Sequence, residues 1–405
     1  QGGRNPRAHL QRCFRILYCY CSSVAKNAFS KSIPVKTSML TNADDYLIHQ
    51  LPVPATTPGT TDRNFYERYY FEGYSPDGDT FVIVTQGVYP LLNLTDAAFM
   101  IQRDGIQHSI FSSRHLNYER LDMRVAPIEV RVLEPLKKLA VIVEPNEYEI
   151  SAEITLTGRT APVEDERLIL TDGPRVIMDT FRLVQHMDWQ GRIEAFGKTI
   201  DLKGWCGMRD RSWGIRQIGI RDPQPLVPPR PLPLFWLGGP QTYDDCGVYF
   251  HAMDDEQGRV RSRMCVLHAV DGSAPQRIEN VSFKLTYRSG TRLITKAEVR
   301  GQLPDGGEVL IEYFPEELVS MQGAGFGHPV WSPGMYHNDH EHCSQTFDMR
   351  ELDPNSPQNS HLLHLCRARL HLPGGSTREG RATLEQAVYG PHAPSGFKGF
   401  DDVAP

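Results

Sequence analysis

From Asn64 onward, apolar and polar residues change places at every second position in short runs, the spacing of strands with two different faces. Residues 64–73 run into the turn Ser75-Pro-Asp-Gly78 and return as 80–87, which predicts a β-hairpin. The same punctuation recurs at Asp104-Gly105, Pro304-Asp-Gly-Gly307 and Pro373-Gly-Gly375. Further strands are predicted at 128–132, 139–144, 148–157, 192–196 and 198–202. A second series follows at 248–253, 260–270, 278–286, 293–299, 308–314, 361–371 and 380–389. Helical spacing is scarce, and only 93–103 and 316–322 are read as a few helical turns. A proline-rich stretch, 222–240, separates the two series. The pattern predicts an all-β chain of two tandem antiparallel β-barrel or sandwich domains, 39–221 and 241–405, joined by that linker.

Composition changes this picture at one end only. The first 38 residues hold seven of the 43 basic residues and none of the 49 acidic ones, so the remainder carries a formal charge of −13 against −6 for the whole chain. They also hold Cys13, Cys19 and Cys21, and the first methionine is Met39. This segment is read as a disordered leader outside the fold and outside the native coding sequence. No window approaches the ~18 uninterrupted apolar residues of a membrane-spanning helix. The acidic body, without a basic patch, speaks against a nucleic-acid partner. Cys206, Cys246, Cys265, Cys343 and Cys366 are odd in number and widely spaced. They predict neither a disulfide framework nor a zinc-cysteine site, and they favour a reducing, cytoplasmic setting.

The densest chemistry lies in Gly204-Trp-Cys-Gly-Met-Arg-Asp-Arg-Ser-Trp-Gly-Ile-Arg216. On a strand, Asp210, Ser212, Gly214 and Arg216 share one face, and Arg209, Arg211, Trp213 and Ile215 the other. A carboxylate and a guanidinium on one face are costly to bury unless paired or used. One reading is a structural Asp210–Arg216 ion pair; the other is a site, with Trp205 and Trp213 walling a pocket near the domain interface. Just past the linker, Tyr249 and His251 share a strand face and suit an acid/base pair. The cluster Tyr336-His-Asn-Asp-His-Glu-His342 offers His337, His340, Glu341 and His342 as a cupin-like metal set, though the rest of that motif is missing. Trp331, Tyr389 and His392 are further candidates for the pocket. No Lys-Ser/Thr phosphate loop, dinucleotide fingerprint or G-x-S-x-G elbow appears, so no cofactor is expected.

Three segments carry a family resemblance: Arg209-Asp-Arg-Ser-Trp-Gly-Ile-Arg216, Gly327-His-Pro-Val-Trp331, and 385–397 with Gly-Pro-His-Ala-Pro-Ser-Gly-Phe. Over residues 60–405 the chain resembles bacterial proteins related to the AttH-like and carotenoid 1,2-hydratase (hydroxyneurosporene synthase) superfamily. That resemblance implies two lipocalin-like barrels with a hydrophobic pocket. The hydratases' His-x-Trp and Tyr-x-Asp pairs correspond to Arg211-x-Trp213 and Tyr249-x-His251, so the acid position holds His251 and the histidine position Arg211. The expected function is a cofactor-independent hydratase or isomerase of a hydrophobic isoprenoid or steroid-like substrate. Its reaction is acid-initiated hydration, isomerisation or cyclisation of a C=C bond. Asp210 or His251 is the proton donor, with Tyr249, Trp213 and Trp331 beside the carbocation; His251 is preferred if Arg216 keeps Asp210 ionised. The alternatives are a non-catalytic carrier of an apolar ligand and the metal enzyme.

Overall fold

A computed structural model of the chain describes residues 41–219 and 231–405. The expected leader and residues 222–230 of the expected linker lie outside them. The architecture is all-β: two large antiparallel sheets, one a half-barrel and one a nearly closed barrel. The middle of the first sheet runs Thr80–Tyr89, Phe65–Tyr74, Trp205–Arg216, Arg175–Ala195, Ser151–Gly158. The second runs Val260–Ala269, Cys246–Asp254, Leu234–Thr242, Thr377–Tyr389, His361–His371, Glu308–Ser320. Near the rim of the second barrel, Ile278 N donates to Cys265 O at 2.8 Å.

Each sheet curls around its own core. Phe71, Phe99, Val141, Leu156, Trp189 and Trp205 fill the first, and Phe235, Val248, Phe250, Ile311 and Leu384 the second. The outward faces are apolar too where they meet. Tyr74, Phe81, Ile83 and Met100 of the first sheet pack on Val319, Met321, Leu363 and Leu365, and Val184 and Met208 pack with Tyr249 and Val266. Strands at this junction are therefore covered on both sides, and Thr80–Tyr89 and Cys246–Asp254 are buried at every position. Polar ties cross it as well. The Gln107 side chain pairs with the Ser320 backbone in both directions, at 3.0 and 3.1 Å, and Tyr74 donates to Thr242 Oγ1 at 2.8 Å.

Three expectations are corrected. Residues 93–103, read as helical, form the strand Leu94–Arg103; burial on both faces gives an apolar run that periodicity cannot assign. Residues 316–322 continue the strand Glu308–Ser320 before a 3-10 turn at Met321–Ala324. The strand Leu234–Thr242 begins inside the stretch read as linker, its alternation masked there by prolines. The two halves also exchange material. Glu341–Asp348, from the C-terminal half, pairs along Ile106–His115 and covers what would otherwise be an open edge of the first sheet.

Trp189 lies flat against Gly73, where an added Cβ would sit 2.4 Å from the indole. The expected outcome for Gly73→Ala is a loss of about 1–3 kcal/mol of unfolding free energy by overpacking, read from a denaturant melt.

Candidate functional site

A cavity of about 200 Å³ lies between the two barrels, outside both cores. Alternation along three neighbouring strands builds one wall. Phe65–Tyr74 turns Tyr66, Arg68, Tyr70 and Glu72 toward it, Trp205–Arg216 turns Asp210, Ser212 and Arg216, and Arg175–Ala195 turns Thr180 and Arg182. Tyr70 stands opposite Asp210, and Arg68 and Arg182 flank Ser212. At Gly214, with φ +133°, a Cβ would fall 2.1 Å from Asp179 O, so only glycine keeps this strand in register. The facing wall comes from the second barrel: Trp236, Tyr249, Thr383 and Glu385. Methionines 178, 208, 253 and 321 and Phe326 supply much of the apolar lining.

Arg182 organises the centre. Its Nε donates to Asp165 Oδ2 at 2.9 Å and its Nη2 makes a second bond to the same oxygen. Nη1 reaches Asp210 Oδ2 at 3.4 Å and Nη2 reaches His251 Nδ1 at 3.3 Å. Since Nδ1 accepts from the guanidinium, the His251 proton sits on Nε2, donated to Ser262 Oγ at 2.8 Å. Burial, opposed by Asp165 and reinforced by Arg182, pushes the imidazole pKa down to about 3, so His251 is neutral. The guanidinium also lies 5.1 Å from the Trp236 ring centre and 5.8 Å from that of Tyr249. Asp165 is held below the usual carboxylate range: burial alone would raise it, and Arg182 outweighs that. Asp210 is raised, because burial outweighs the more distant Arg182.

Two more carboxyl groups face the same space. Glu385 accepts from Trp236 Nε1 at 2.9 Å and lies 2.5 Å from His361 Nε2; although burial raises its pKa, the histidine contact draws it below the usual value. Glu72 is 2 % exposed and has no cationic partner among the described residues. Tyr70 and Thr383 hydroxyls lie 2.8 and 2.5 Å from its two oxygens. Burial, only partly offset by those bonds, raises its pKa to about 7.

A model for a family of unknown function (DUF8625) matches residues 40–398. The chain belongs to that family. Among solved structures, a protein of Nitrosomonas europaea assigned as AttH matches over 80 % of this chain and 92 % of its own, at 12 % identity and a TM-score of 0.45. Kievitone hydratase of Nectria haematococca covers 80 % of this chain and 88 % of its own, at 10 % identity and a TM-score of 0.44. CghA covers 80 % and 88 %, at 9 % identity and a TM-score of 0.47. No curated protein matches in sequence. At 9–12 % identity and TM-scores below 0.5, this likeness carries neither a relationship nor a chemistry over to this chain.

In this DUF8625 member the expected site residues separate. Asp210, Arg216 and Tyr249 line the interbarrel cavity. His251 is fully buried behind Trp236, their rings stacked at 5.0 Å, and is not among the residues lining the cavity. The ion partner of Asp210 is Arg182 rather than Arg216. Trp205 fills the first core, since it sits on the inward face of its strand. Trp213, on that same face, stands at the mouth of the first barrel, stacked on Phe181. Trp331 packs on Phe111 and His337, where His328 Nδ1 accepts from the Val330 and Trp331 amides. Tyr389 packs on Phe400, and His392 stacks on Phe235 inside the second barrel, closing its end. The metal reading is corrected: among the described residues no His, Cys, Asp or Glu group is arranged to hold an ion. Positive φ at Asn338 and His340 breaks the alternation that would have aligned the histidines, and His342 turns to Tyr148 instead. Among the described residues, no helix is long and apolar enough to cross a membrane.

Sequence reasoning missed Glu72, Asp165, Arg182, Trp236 and Glu385. The available signal for Glu72 was an acid inside the aromatic run Tyr69-Tyr-Phe-Glu-Gly-Tyr74.

The pairing geometry ranks two substitutions. Asp165→Asn strands most of the Arg182 charge and is expected to cost about 3–5 kcal/mol. Asp210→Asn leaves Arg182 neutralised by Asp165 and is expected to cost under about 2 kcal/mol. Parallel denaturant melts read the difference.

Proposed function

We propose that this protein is a cofactor-independent enzyme that protonates a carbon–carbon double bond of a hydrophobic isoprenoid or polycyclic substrate, with Glu72 as the acid. The observation that carries this reading is Glu72 itself, a buried carboxyl without a cation, raised to about 7 at the wall of an aromatic cavity. The Glu72 proton forms the new C–H bond with the alkene π pair, leaving a carbocation and the Glu72 carboxylate. The faces of Tyr70, Trp236 and Tyr249 stabilise that cation by roughly 0.5–2 kcal/mol each, and the Asp210 carboxylate lies within the same cavity. Addition of water gives hydration and loss of a neighbouring proton to Glu72 gives isomerisation; attack by a second double bond closes a ring and moves the cation to a new carbon, which then loses a proton to Glu72 or takes up water. Where water adds, its proton returns to Glu72.

The test is deuterium incorporation at carbon in D2O across a panel of isoprenoid and polycyclic alkenes, read by mass spectrometry. The wild type is expected to incorporate label, with a rate that falls as pH rises through about 7 because the acid form is consumed. Glu72→Gln is expected to lose at least about 100-fold in rate and retain ligand binding. Label incorporation unchanged in Glu72→Gln removes Glu72 from the chemistry.

Glu72 also makes stability depend on pH. Its folded pKa, about 7, lies above the ordinary 4.5, so the folded chain holds this proton more tightly than the unfolded one. The stabilisation is complete below about pH 4.5 and is lost as pH rises to about 7, with an upper limit of about 3 kcal/mol. Denaturant melts between pH 5 and 8 are expected to show a decline in the wild type that is flatter in Glu72→Gln.

A second reading, a carrier of an apolar ligand, has its own support. Another cavity, about 520 Å³, opens at the mouth of the first barrel beneath Leu51, Val53 and Trp213. The one acid lining it among the described residues, the partly buried Glu67, is clamped by Arg120 and Arg211, which draw its pKa down against the effect of burial, so it holds no proton to give. Binding without label incorporation at any alkene favours this reading.

A further inference from the structure

We infer that one end of the interbarrel cavity is an oxyanion subsite, in which Arg68 and Arg216 bind the single terminal carboxylate or phosphate of an otherwise apolar substrate. The two residues lie on neighbouring strands and both line the cavity. Their guanidinium carbons stand 4.7 and 5.9 Å from the centre of one ring, that of Phe326. Among the described residues, neither guanidinium has a hydrogen-bond or ion-pair partner, and Arg68 Nε is buried without one. The cavity's other charges are already engaged: Asp165 and Asp210 by Arg182, Glu385 by His361 and Trp236. Two adjacent, half-buried cations with no described carboxylate in hydrogen-bond or ion-pair contact, and only the longer-range pull of Asp96, Asp210 and Glu385, repel each other and lose hydration, a cost expected where a ligand is to supply the charge. Burial and the neighbouring Arg68 both draw the Arg216 pKa down, as that repulsion requires.

The pair also sits where the cavity meets the surface. A groove lined by Tyr89, Gln217, Ser332 and Pro333 shares Arg68, Arg216 and Phe326 with the cavity. Arg68 and Glu72 share one strand face four residues apart, roughly 13 Å along the strand. An amphipathic acid whose head is held by the arginines therefore extends its tail past Trp236 toward Glu72. The placement of a reacting double bond at that tail rests on the proposed role of Glu72; the anion end does not.

The experiment measures binding and melting temperature of the full chain with matched ligands: farnesoate, farnesyl monophosphate, farnesol, and straight-chain carboxylates of eight to sixteen carbons (about that range, set by the strand distance). The wild type is expected to bind at least one anion about tenfold or more tightly than farnesol. Preference for the phosphate over the carboxylate, or the reverse, identifies the head group. Arg68→Met and Arg216→Met are each expected to lose the anion preference, to bind farnesol as the wild type does, and to melt no lower than the wild type without ligand. Should either melt lower, Arg68→Lys or Arg216→Lys takes its place: charge retained and the planar fork lost is expected to give intermediate affinity. Equal binding of acid and alcohol, a preference that survives in both arginine variants, unchanged affinity in the lysine variants, or no melting shift with any anion overturns the inference. Glu72→Gln is expected to keep the anion preference. Anion preference without deuterium incorporation sinks the enzymatic reading alone, whereas incorporation into neutral alkenes without anion preference sinks the subsite alone.

Discussion

Arg182 is the ion on which the junction of the two barrels depends. A guanidinium on a face that another barrel covers must be neutralised and hydrogen-bonded, or the face cannot close. Asp165 and Asp210 from the first sheet and His251 from the second meet this demand, with Trp236 and Tyr249 against its edges. Each barrel thus contributes part of the solvation shell of one cation, and the docking of the two sheets and the shape of the cavity are set together.

Around that centre, charge is distributed unevenly across one small space. The pair Asp165–Arg182 is closed upon itself, Glu385 is tied to a histidine and an indole, Glu72 has only hydroxyl partners, and Arg68 and Arg216 have none among the described residues. The same burial acts on each with a different result, because the outcome depends on what lies within hydrogen-bond reach. A carboxyl with only neutral donors keeps its proton near neutrality, Asp165 with two close guanidinium bonds loses it, Asp210 with one long bond lies between, and a guanidinium without a carboxylate in contact waits for an anion. Proton donor and anion site lie on one strand face because that strand, Phe65–Tyr74, runs along the length of the cavity.

Much of the fold was legible because strand spacing is a local property. The hairpin at Ser75–Gly78, the two strand series and the opposed faces of the strand Trp205–Arg216 follow from period-two alternation. The structure keeps Asp210 and Arg216 on one side of that strand and Arg211 and Trp213 on the other. Alternation fails where both faces are covered, as in Leu94–Arg103, whose apolar run fits a helix or a strand. It is also silent about partners, so a strand late in the chain, Glu341–Asp348, gives no sign that it completes the first sheet.

The candidate site divides along the same line. Residue order along a strand determined which side chains point together, Asp210 with Arg216 on one strand and Tyr249 with His251 on another. Which outward face becomes an interior was decided only when the second barrel docked. Glu72 has the sequence surroundings of a solvated strand residue, yet it is buried by Thr383, more than 300 positions away in the chain. His251 has those of an acid/base group, yet Trp236 and Arg182 enclose it and hold it neutral. The physical reason is that a pKa measures solvation and neighbouring charge, and both are properties of tertiary contact. The sequence carried the face on which the chemistry lies; the packing of barrel on barrel decided which groups on that face keep, lose or lack a partner.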